Sequence, residues 1–197
     1  MIELQLDHID WKLITQLQSN GRTTYKELGE LIDFTSLGAK KRVDKLLEKD
    51  IIHISALVNT DIMGLRLALI LLEIENAQTM RKIVARYSNC PRVIKFFSTM
   101  GGYNLIALVM AEDQATLESE CMEKCALRSE EGVRRSEVYL IGRVHNYPFL
   151  HLRTDALKTK ADTAPCGVKC KDCQSFLDMK CVGCPTMKYY RGSLDGE

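Results

Sequence analysis

Apolar residues recur at helical spacing in three short runs within the first fifty positions. The runs are Leu13, Ile14 and Leu17; Leu28, Leu31 and Ile32; and Ala39, Val43, Leu46 and Leu47. Asp7, Thr24 and Thr35 are residue types that cap helices, and one of them precedes each run. Because short amphipathic helices can bury such stripes only against one another, the pattern predicts a three-helix unit. The brief connection 33–35 is typical of a helix-turn-helix.

The third predicted helix carries a dense basic cluster. Its members are Lys40, Lys41, Arg42 and Lys45. In a helix-turn-helix the first residues of this helix meet base edges and basic side chains meet phosphates, so Ser36 and Leu37 are candidates for base contact. The predicted DNA-contacting set is Arg22, Thr24, Thr35, Ser36, Leu37, Lys40, Lys41, Arg42 and Lys45. A solvated charged face is the alternative for the cluster alone, but the three-helix context favours DNA binding.

From residue 65 the pattern changes to apolar strand-like runs that alternate with helical ones. Strands are predicted at 65–75, 92–100, 103–112 and 132–144, and helices at 76–90 and 113–130. The pair Gly101-Gly102 marks a hairpin between the second and third of these strands. The order βαββαβ predicts a ferredoxin-like sandwich, which makes the chain an α+β protein.

Five cysteines follow the polar connector 154–165. They are Cys166, Cys170, Cys173, Cys181 and Cys184. Too few apolar residues surround them for an independent core, and so small a segment generally needs a metal or disulfides to be ordered. Disulfides are rare in the cytosol, where a DNA-binding regulator works, so the pattern favours a metal site with all five thiolates as candidate ligands. A redox-switching disulfide and a flexible reduced tail are the alternatives.

The cysteine spacing leaves two metals open. Cys170 with Cys173, and Cys181 with Cys184, form chelating pairs of the kind found in zinc sites. The spacer between the pairs is much shorter than the ~15–20 residues of ordinary zinc ribbons. The additional Cys166 and the sequence Cys184-Pro185 are typical of ferredoxin-type iron–sulfur sites. We therefore favour a [4Fe–4S] cluster, with Zn²⁺ as the alternative.

Composition adds limits to this interpretation. The formal net charge of the 197 residues is +1, so affinity for DNA must come from local charge placement. No apolar run is long enough to span a membrane, and the N-terminus lacks the pattern of a secretory signal. No catalytic motif is present, so no enzyme is predicted. The predicted domains are a winged helix-turn-helix at 1–58, a ferredoxin-like domain at 59–148, a linker at 149–165 and a cysteine-rich metal-binding tail at 166–197.

Three stretches carry a resemblance to a known family. They are Leu6-Asp7-x-x-Asp10; Asn20-Gly21-Arg22-x-Thr24-x-x-Glu27-Leu28; and Arg42-Val43-x-x-Leu46 followed by Ile51-Ile52. In order and spacing they resemble the leucine-responsive (Lrp/AsnC) family of prokaryotic transcription regulators, over about residues 4 to 146. The resemblance implies dimers formed through the ferredoxin-like sheets. It also implies a small effector, such as an amino acid, near Gly101, Gly102, Tyr103 and Asn104. Ordinary family members end before the cysteine-rich tail.

The sequence as a whole thus predicts a cytoplasmic transcription regulator that forms homodimers or larger homo-oligomers. Its partners would be double-stranded operator DNA and a small-molecule effector, and its cysteine-rich tail would respond to redox state or metal supply. The alternative is a non-regulatory electron-transfer or small-molecule-binding protein with an iron–sulfur tail.

Overall fold

The computed structural model describes residues 6–123, 127–154, 157 and 160–194. Contacts divide the chain into two compact units, an N-terminal unit of residues 1–56 and a C-terminal unit of residues 57–197. The first boundary lies close to the predicted one. None of the helices in the described ranges is both long and apolar enough to cross a membrane.

The N-terminal unit contains the three predicted helices. They are α1 (His8–Ser19), α2 (Tyr25–Leu31) and α3 (Ser36–Glu48). Their apolar stripes meet in one core, which contains Leu13, Leu28, Ile32, Ala39 and Val43. Residues 6–56 contain no strand, so the predicted wing is absent there and the nearest strand begins at Val58 in the other unit.

The turn between α2 and α3 is tight because of two local features. Asp33 has a φ of 57°, in the left-handed region, which Asp tolerates better than most residues. A Cβ on Gly29 would lie 2.7 Å from the carbonyl oxygen of Phe34, so only glycine lets α2 approach the turn this closely. Thr35 then caps α3 by accepting a hydrogen bond from the Gly38 amide at 3.1 Å.

The C-terminal unit contains a four-stranded antiparallel sheet. In chain order its elements are β2 (Arg66–Ile74), α4 (Ala77–Tyr87), β3 (Val93–Ser98), β4 (Leu105–Ala111), α5 (Gln114–Met122) and β5 (Val133–Ile141). This is the predicted βαββαβ order. Across the sheet the strands lie in the order β3–β4–β2–β5. The helix predicted at 113–130 ends earlier, at Met122, and a short 3-10 helix follows at Leu127–Ser129.

A two-stranded ladder that the sequence did not predict joins the two ends of this fold. β1 (Val58–Asn59) pairs antiparallel with β6 (Phe149–Leu150). The neighbouring Thr60 is fully buried, and its amide donates a hydrogen bond to the carbonyl of Pro148 at 3.0 Å. The chain that enters the C-terminal unit is therefore held to the chain that leaves the sheet.

One face of the sheet is covered by α4, α5 and the C-terminal segment, which we define as residues 160–194. The shared core includes Ile70 and Leu72 from β2 and Leu117 from α5. Cys166 and Met187 from the C-terminal segment belong to the same core. The segment thus extends the helix layer. The predicted division into a linker at 149–165 and a separate tail at 166–197 differs from this arrangement, because long-range packing supplies the core that the segment lacks by itself.

The opposite face of the sheet keeps apolar side chains partly in solvent. Its middle consists of Leu69, Leu71, Ile106 and Leu108, which are half-buried, and of Tyr139, which is 54% exposed. We call this set the open sheet face.

Candidate DNA-binding face and cysteine cavity

The start of α3 presents the predicted base-contacting and phosphate-contacting groups to solvent. Leu37 is 63% exposed, and Ser36 is also exposed. Lys40, Lys41 and Lys45 are exposed on the same helix. Ala39, Val43 and Leu46 lie on the opposite side of α3 and are buried. The helix therefore has one side that packs against the N-terminal unit and one side that is exposed to solvent.

Arg42 was predicted to contact DNA together with the lysines, but it forms ion pairs with acidic residues at the start of α1 instead. One nitrogen of its guanidinium lies 2.6 Å from a carboxylate oxygen of Asp7 and 2.9 Å from one of Asp10. Hydrogen bonds to these two carboxylates raise the pKa of Arg42. The guanidinium also lies 5.9 Å from the centre of the Phe34 ring, within the range of a cation–π contact. Arg42 therefore joins α3 to α1 rather than projecting into solvent.

The two predicted threonines serve as helix caps. The amide of Glu27 donates to the hydroxyl of Thr24 at 3.3 Å, and the amide of Thr24 donates to the Glu27 carboxylate at 2.7 Å. The Glu27 carboxylate accepts hydrogen bonds from the amide of Thr24 and from its hydroxyl, and these two bonds lower the pKa of Glu27. Thr35 caps α3, as described above. Arg22 is exposed in the connection between α1 and α2, where its backbone amide donates to the side chain of Asn20.

The predicted effector loop joins β3 to β4. Gly101 and Gly102 are exposed in it. The side chain of Asn104 is directed at the backbone of Ile74, accepting from its amide at 2.8 Å and donating to its carbonyl at 2.7 Å. Asn104 therefore fixes the end of β4 to the end of β2, and its amide group is already satisfied.

Tyr103, the remaining residue of this loop, belongs to a polar cluster on β5. Its hydroxyl donates to Glu137, which also accepts from the hydroxyl of Tyr139 at 2.6 Å. These two hydrogen bonds lower the pKa of Glu137. The guanidinium of Arg135 lies 4.5 Å from the centre of the Tyr103 ring. The loop is thus anchored through Tyr103 and Asn104, while Met100 and the glycine tip are exposed.

All five predicted metal ligands line one cavity of about 560 Å³ in the C-terminal unit. We call it the cysteine cavity. A sixth cysteine, Cys90, lines it too, although it comes from the ferredoxin-like fold just after α4. No partner for Cys90 is predicted from the sequence, because Cys90 lies far from the cysteine cluster along the chain. Cys121 is buried in the core but does not line the cavity, and Cys125 lies outside the described residues.

Burial controls the chemistry of these thiols. It raises the pKa of Cys90 to about 12 and that of Cys170 to about 11. Neighbouring thiols add to both shifts, with Cys166 and Cys184 acting on Cys90. Metal-free, these two side chains are therefore protonated at neutral pH. A bound cation would reverse this preference, since metals take up thiolates and release the protons.

The cavity supplies the soft donors that thiolate-bound metals need. Within the described ranges, no three His, Cys, Asp or Glu side chains are close enough together to hold a metal ion. Six cysteines nevertheless line this one cavity, and soft sulfur donors select zinc or iron–sulfur clusters.

A buried charge network lies beside the cavity. Arg92, 5% exposed, pairs with Glu112 at 2.5 Å and with Glu120 at 2.6 Å. It also donates a hydrogen bond to the carbonyl of Gly183 in the C-terminal segment at 2.5 Å. The hydroxyl of Tyr190, in the same segment, donates to Glu112. Burial raises the pKa of Glu120 to about 8 against the opposing effect of Arg92.

Two regions of the chain match known families. Residues 6–53 match a family described as winged helix-turn-helix DNA-binding, and residues 67–146 match the Lrp/AsnC ligand binding domain. The chain therefore carries both domains of the Lrp/AsnC transcription regulators and belongs to that family. The cysteine residues of the C-terminal segment lie beyond both matches.

Named relatives agree with this assignment. A helix-turn-helix-type transcriptional regulator of Pyrococcus horikoshii, PH0061, is 26% identical over 151 residues, which cover 74% of this chain and 99% of the relative. The leucine-responsive regulatory protein of Rhizobium meliloti is 27% identical over 128 residues, covering 63% and 82%. The crystal structure of PH0061 superposes with a TM-score of 0.64, covering 73% of this chain and 97% of that one.

Escherichia coli AsnC, at 18% identity, shares the fold with a TM-score of 0.63 and covers 73% of this chain and 96% of its own. The relatives are transcriptional regulators, which form a non-enzymatic family. The chain is accordingly a regulator of the same type, and the alternative of an electron-transfer protein is not favoured.

Proposed function

We propose that the N-terminal unit binds operator DNA through the exposed side of α3. Ser36 and Leu37 would meet base edges, and Lys40, Lys41 and Lys45 would neutralise phosphates. The exposure of these groups on a helix whose other side is buried is the observation that carries the proposal. Arg42 contributes indirectly, because its bonds to Asp7 and Asp10 fix the orientation of α3 against α1.

A double variant tests this assignment. Lys41→Ala with Lys45→Ala should weaken binding to all DNA sequences and reduce the slope of log affinity against log salt by about 1.8, since each lost phosphate contact removes about 0.9. Lys82→Ala with Lys95→Ala is a matched control, because both lysines are exposed and belong to the C-terminal unit. An equal loss of slope in the control would assign the effect to overall charge and contradict the proposed interface.

The open sheet face supports dimerisation, which we propose as the way two α3 helices reach successive major grooves ~34–36 Å apart. Leu108→Lys would place a charge in the middle of this face, and we expect a monomer by analytical ultracentrifugation at micromolar concentration. Leu177→Lys is the control, because Leu177 is exposed on the C-terminal segment, away from the sheet. A Leu108→Lys protein that remains a dimer would place the association surface elsewhere.

We further propose that a small effector of amino-acid type binds at the β3–β4 loop, with the glycine tip as its point of contact. The match to the ligand binding domain of the family supports this. A Cβ on Gly101 would meet no atom within 4 Å, so Gly101→Val should fold normally while obstructing the tip. Binding raises the thermal midpoint of the wild-type protein, because it stabilises the folded state by a free energy that grows with the logarithm of the ligand concentration. The same amino acid should leave Gly101→Val unshifted, and an equal shift would remove the loop from the site.

For the cysteine cavity we propose a [4Fe–4S] cluster, with Zn²⁺ as the alternative, through which redox state or metal supply adjusts DNA binding in the cytoplasm. The sharing of one cavity by six cysteines supports it. Anaerobically purified protein should contain iron and inorganic sulfide and absorb broadly in the blue. Equal operator affinity with and without the metal would contradict the regulatory part. Protein that binds neither iron nor zinc would contradict the cofactor itself.

A further inference from the structure

Cys90 lies at the point where the ferredoxin-like fold meets the C-terminal segment. It follows α4, and its amide donates to the carbonyl of Tyr87 at 3.0 Å, which holds it in a turn before Pro91. Its side chain packs against the sheet core and lines the cysteine cavity. The position is fixed by regular structure on both sides, since β3 begins at Val93.

Two arginines that flank Cys90 along the chain hold the cysteine-bearing segment against it. The guanidinium of Arg86, in α4, donates to the carbonyl of Cys166 at 2.9 Å. Arg92 donates to the carbonyl of Gly183, the residue before Cys184, at 2.5 Å. The backbone next to Cys90 is therefore tied to the backbone that carries Cys166 and to the backbone that leads to Cys184.

The cysteines of the C-terminal segment line the same cavity as Cys90. That cavity brings one cysteine of the ferredoxin-like fold together with five of the segment, which are Cys166, Cys170, Cys173, Cys181 and Cys184. A thiolate-bound zinc ion or iron–sulfur cluster needs four ligands, and this group offers six.

We propose that Cys90 is a metal ligand, so that the metal or cluster is shared between the ferredoxin-like fold and the C-terminal segment. This inference rests on the cofactor proposed above and deepens it. The remaining ligands come from the cysteines of the C-terminal segment that line the cavity, which are Cys166, Cys170, Cys173, Cys181 and Cys184. Metal binding by such a shared site adds its free energy to the folding of the whole C-terminal unit, not to a detached tail.

The test compares Cys90→Ser with Cys121→Ser, because both cysteines belong to the ferredoxin-like fold but only Cys90 lines the cavity. Each protein is reconstituted anaerobically with iron and sulfide and, separately, titrated with Co²⁺, whose thiolate absorption reports sulfur ligation. Cys90→Ser should lose metal affinity by more than the ~10–100-fold that changes outside the ligand set cost. Cys121→Ser should match the wild type.

The outcomes separate this inference from the cofactor proposal. Wild-type metal content and spectrum in Cys90→Ser, together with loss of metal in Cys166→Ser with Cys184→Ser, would overturn Cys90 as a ligand and leave the cofactor standing. A wild-type protein that binds no metal would overturn both. If Cys90→Ser does not fold, an anomalous difference map of metal-loaded wild-type crystals decides. A metal about 2.3 Å from Cys90 Sγ supports the proposal, and one beyond bonding distance overturns it.

Discussion

Arg42 and Arg92 each hold two acidic side chains, but in surroundings that differ in their access to water. Arg42 bridges Asp7 and Asp10 at the surface of the N-terminal unit, and its side chain is 29% exposed. Arg92 bridges Glu112 and Glu120 inside the C-terminal unit, where its side chain is 6% exposed. A buried pair loses more when one partner is removed, because the remaining charge has no solvent to replace it. Removing Arg92 should therefore lower the free energy of unfolding much more than removing Arg42 does.

The largest effect is expected from Arg92→Met. The substitution leaves Glu112 and Glu120 facing each other without a cation, and breaking a buried pair typically costs about 3–5 kcal/mol. It also removes the hydrogen bond to Gly183, which holds the C-terminal segment. Urea unfolding should show the loss in the C-terminal unit, and limited proteolysis should cut after residue 160 more readily. Lys95→Met, an exposed site on β3, is the control and should be neutral.

A second effect, visible only as a function of pH, is expected from Glu120. Its pKa of about 8 in the folded protein lies above the value of about 4.3 for an unfolded Glu. The folded state therefore keeps the proton up to a higher pH than the unfolded state does. The resulting penalty is absent below pH ~4.3, grows as pH rises and is complete above pH ~8, at about 1.4 kcal/mol per pKa unit.

Glu120→Gln removes this titration. The free energy of unfolding of the wild type should therefore fall relative to that of the variant between about pH 5 and about pH 8, which lies inside the titration range. Glu118→Gln, an exposed position on the same helix, should run parallel to the wild type. A constant difference between wild type and Glu120→Gln across that range would show that Glu120 is already ionised in the folded protein.

The smallest effect on stability is expected from Arg42→Ala. Solvent partly replaces its contacts, so the thermal midpoint of the N-terminal unit should fall slightly, while Lys41→Ala should leave it unchanged. The pKa of Asp7 is lowered by a hydrogen bond from the amide of Asp10 and by Arg42, so its contribution is present above the unfolded pKa and lost as pH falls. The Arg42→Ala protein should be less sensitive to acid than the wild type.

The two units also differed in how far their sequences could be interpreted. In the N-terminal unit the helices, caps and turn follow from signals within a few residues, and the predicted three-helix unit and helix caps are present. The pairing of Arg42 with Asp7 was missed, because a charge run does not show which members face a neighbouring helix. In the C-terminal unit the βαββαβ order was predicted from apolar periodicity.

Features of the C-terminal unit that depend on contacts between distant residues could not be predicted from local sequence patterns. β1 and β6 are two residues each and lie far apart in the chain, so neither had a detectable pattern. The burial of Cys166 and Met187 depends on the helix layer that receives them. Cys90 was not connected to the other cavity thiols, since only the fold brings residues so distant in sequence to one space.

The β1–β6 ladder joins the chain just after the N-terminal unit to the chain that leaves the sheet. Asn59 pairs with Phe149, and the backbone of Thr60 is bonded to Pro148. On one side this ladder continues covalently into the N-terminal unit, which ends at residue 56, and on the other into the chain that leads to the cysteine cavity. Backbone hydrogen bonds therefore hold the residues that follow the N-terminal unit against the residues that leave the sheet.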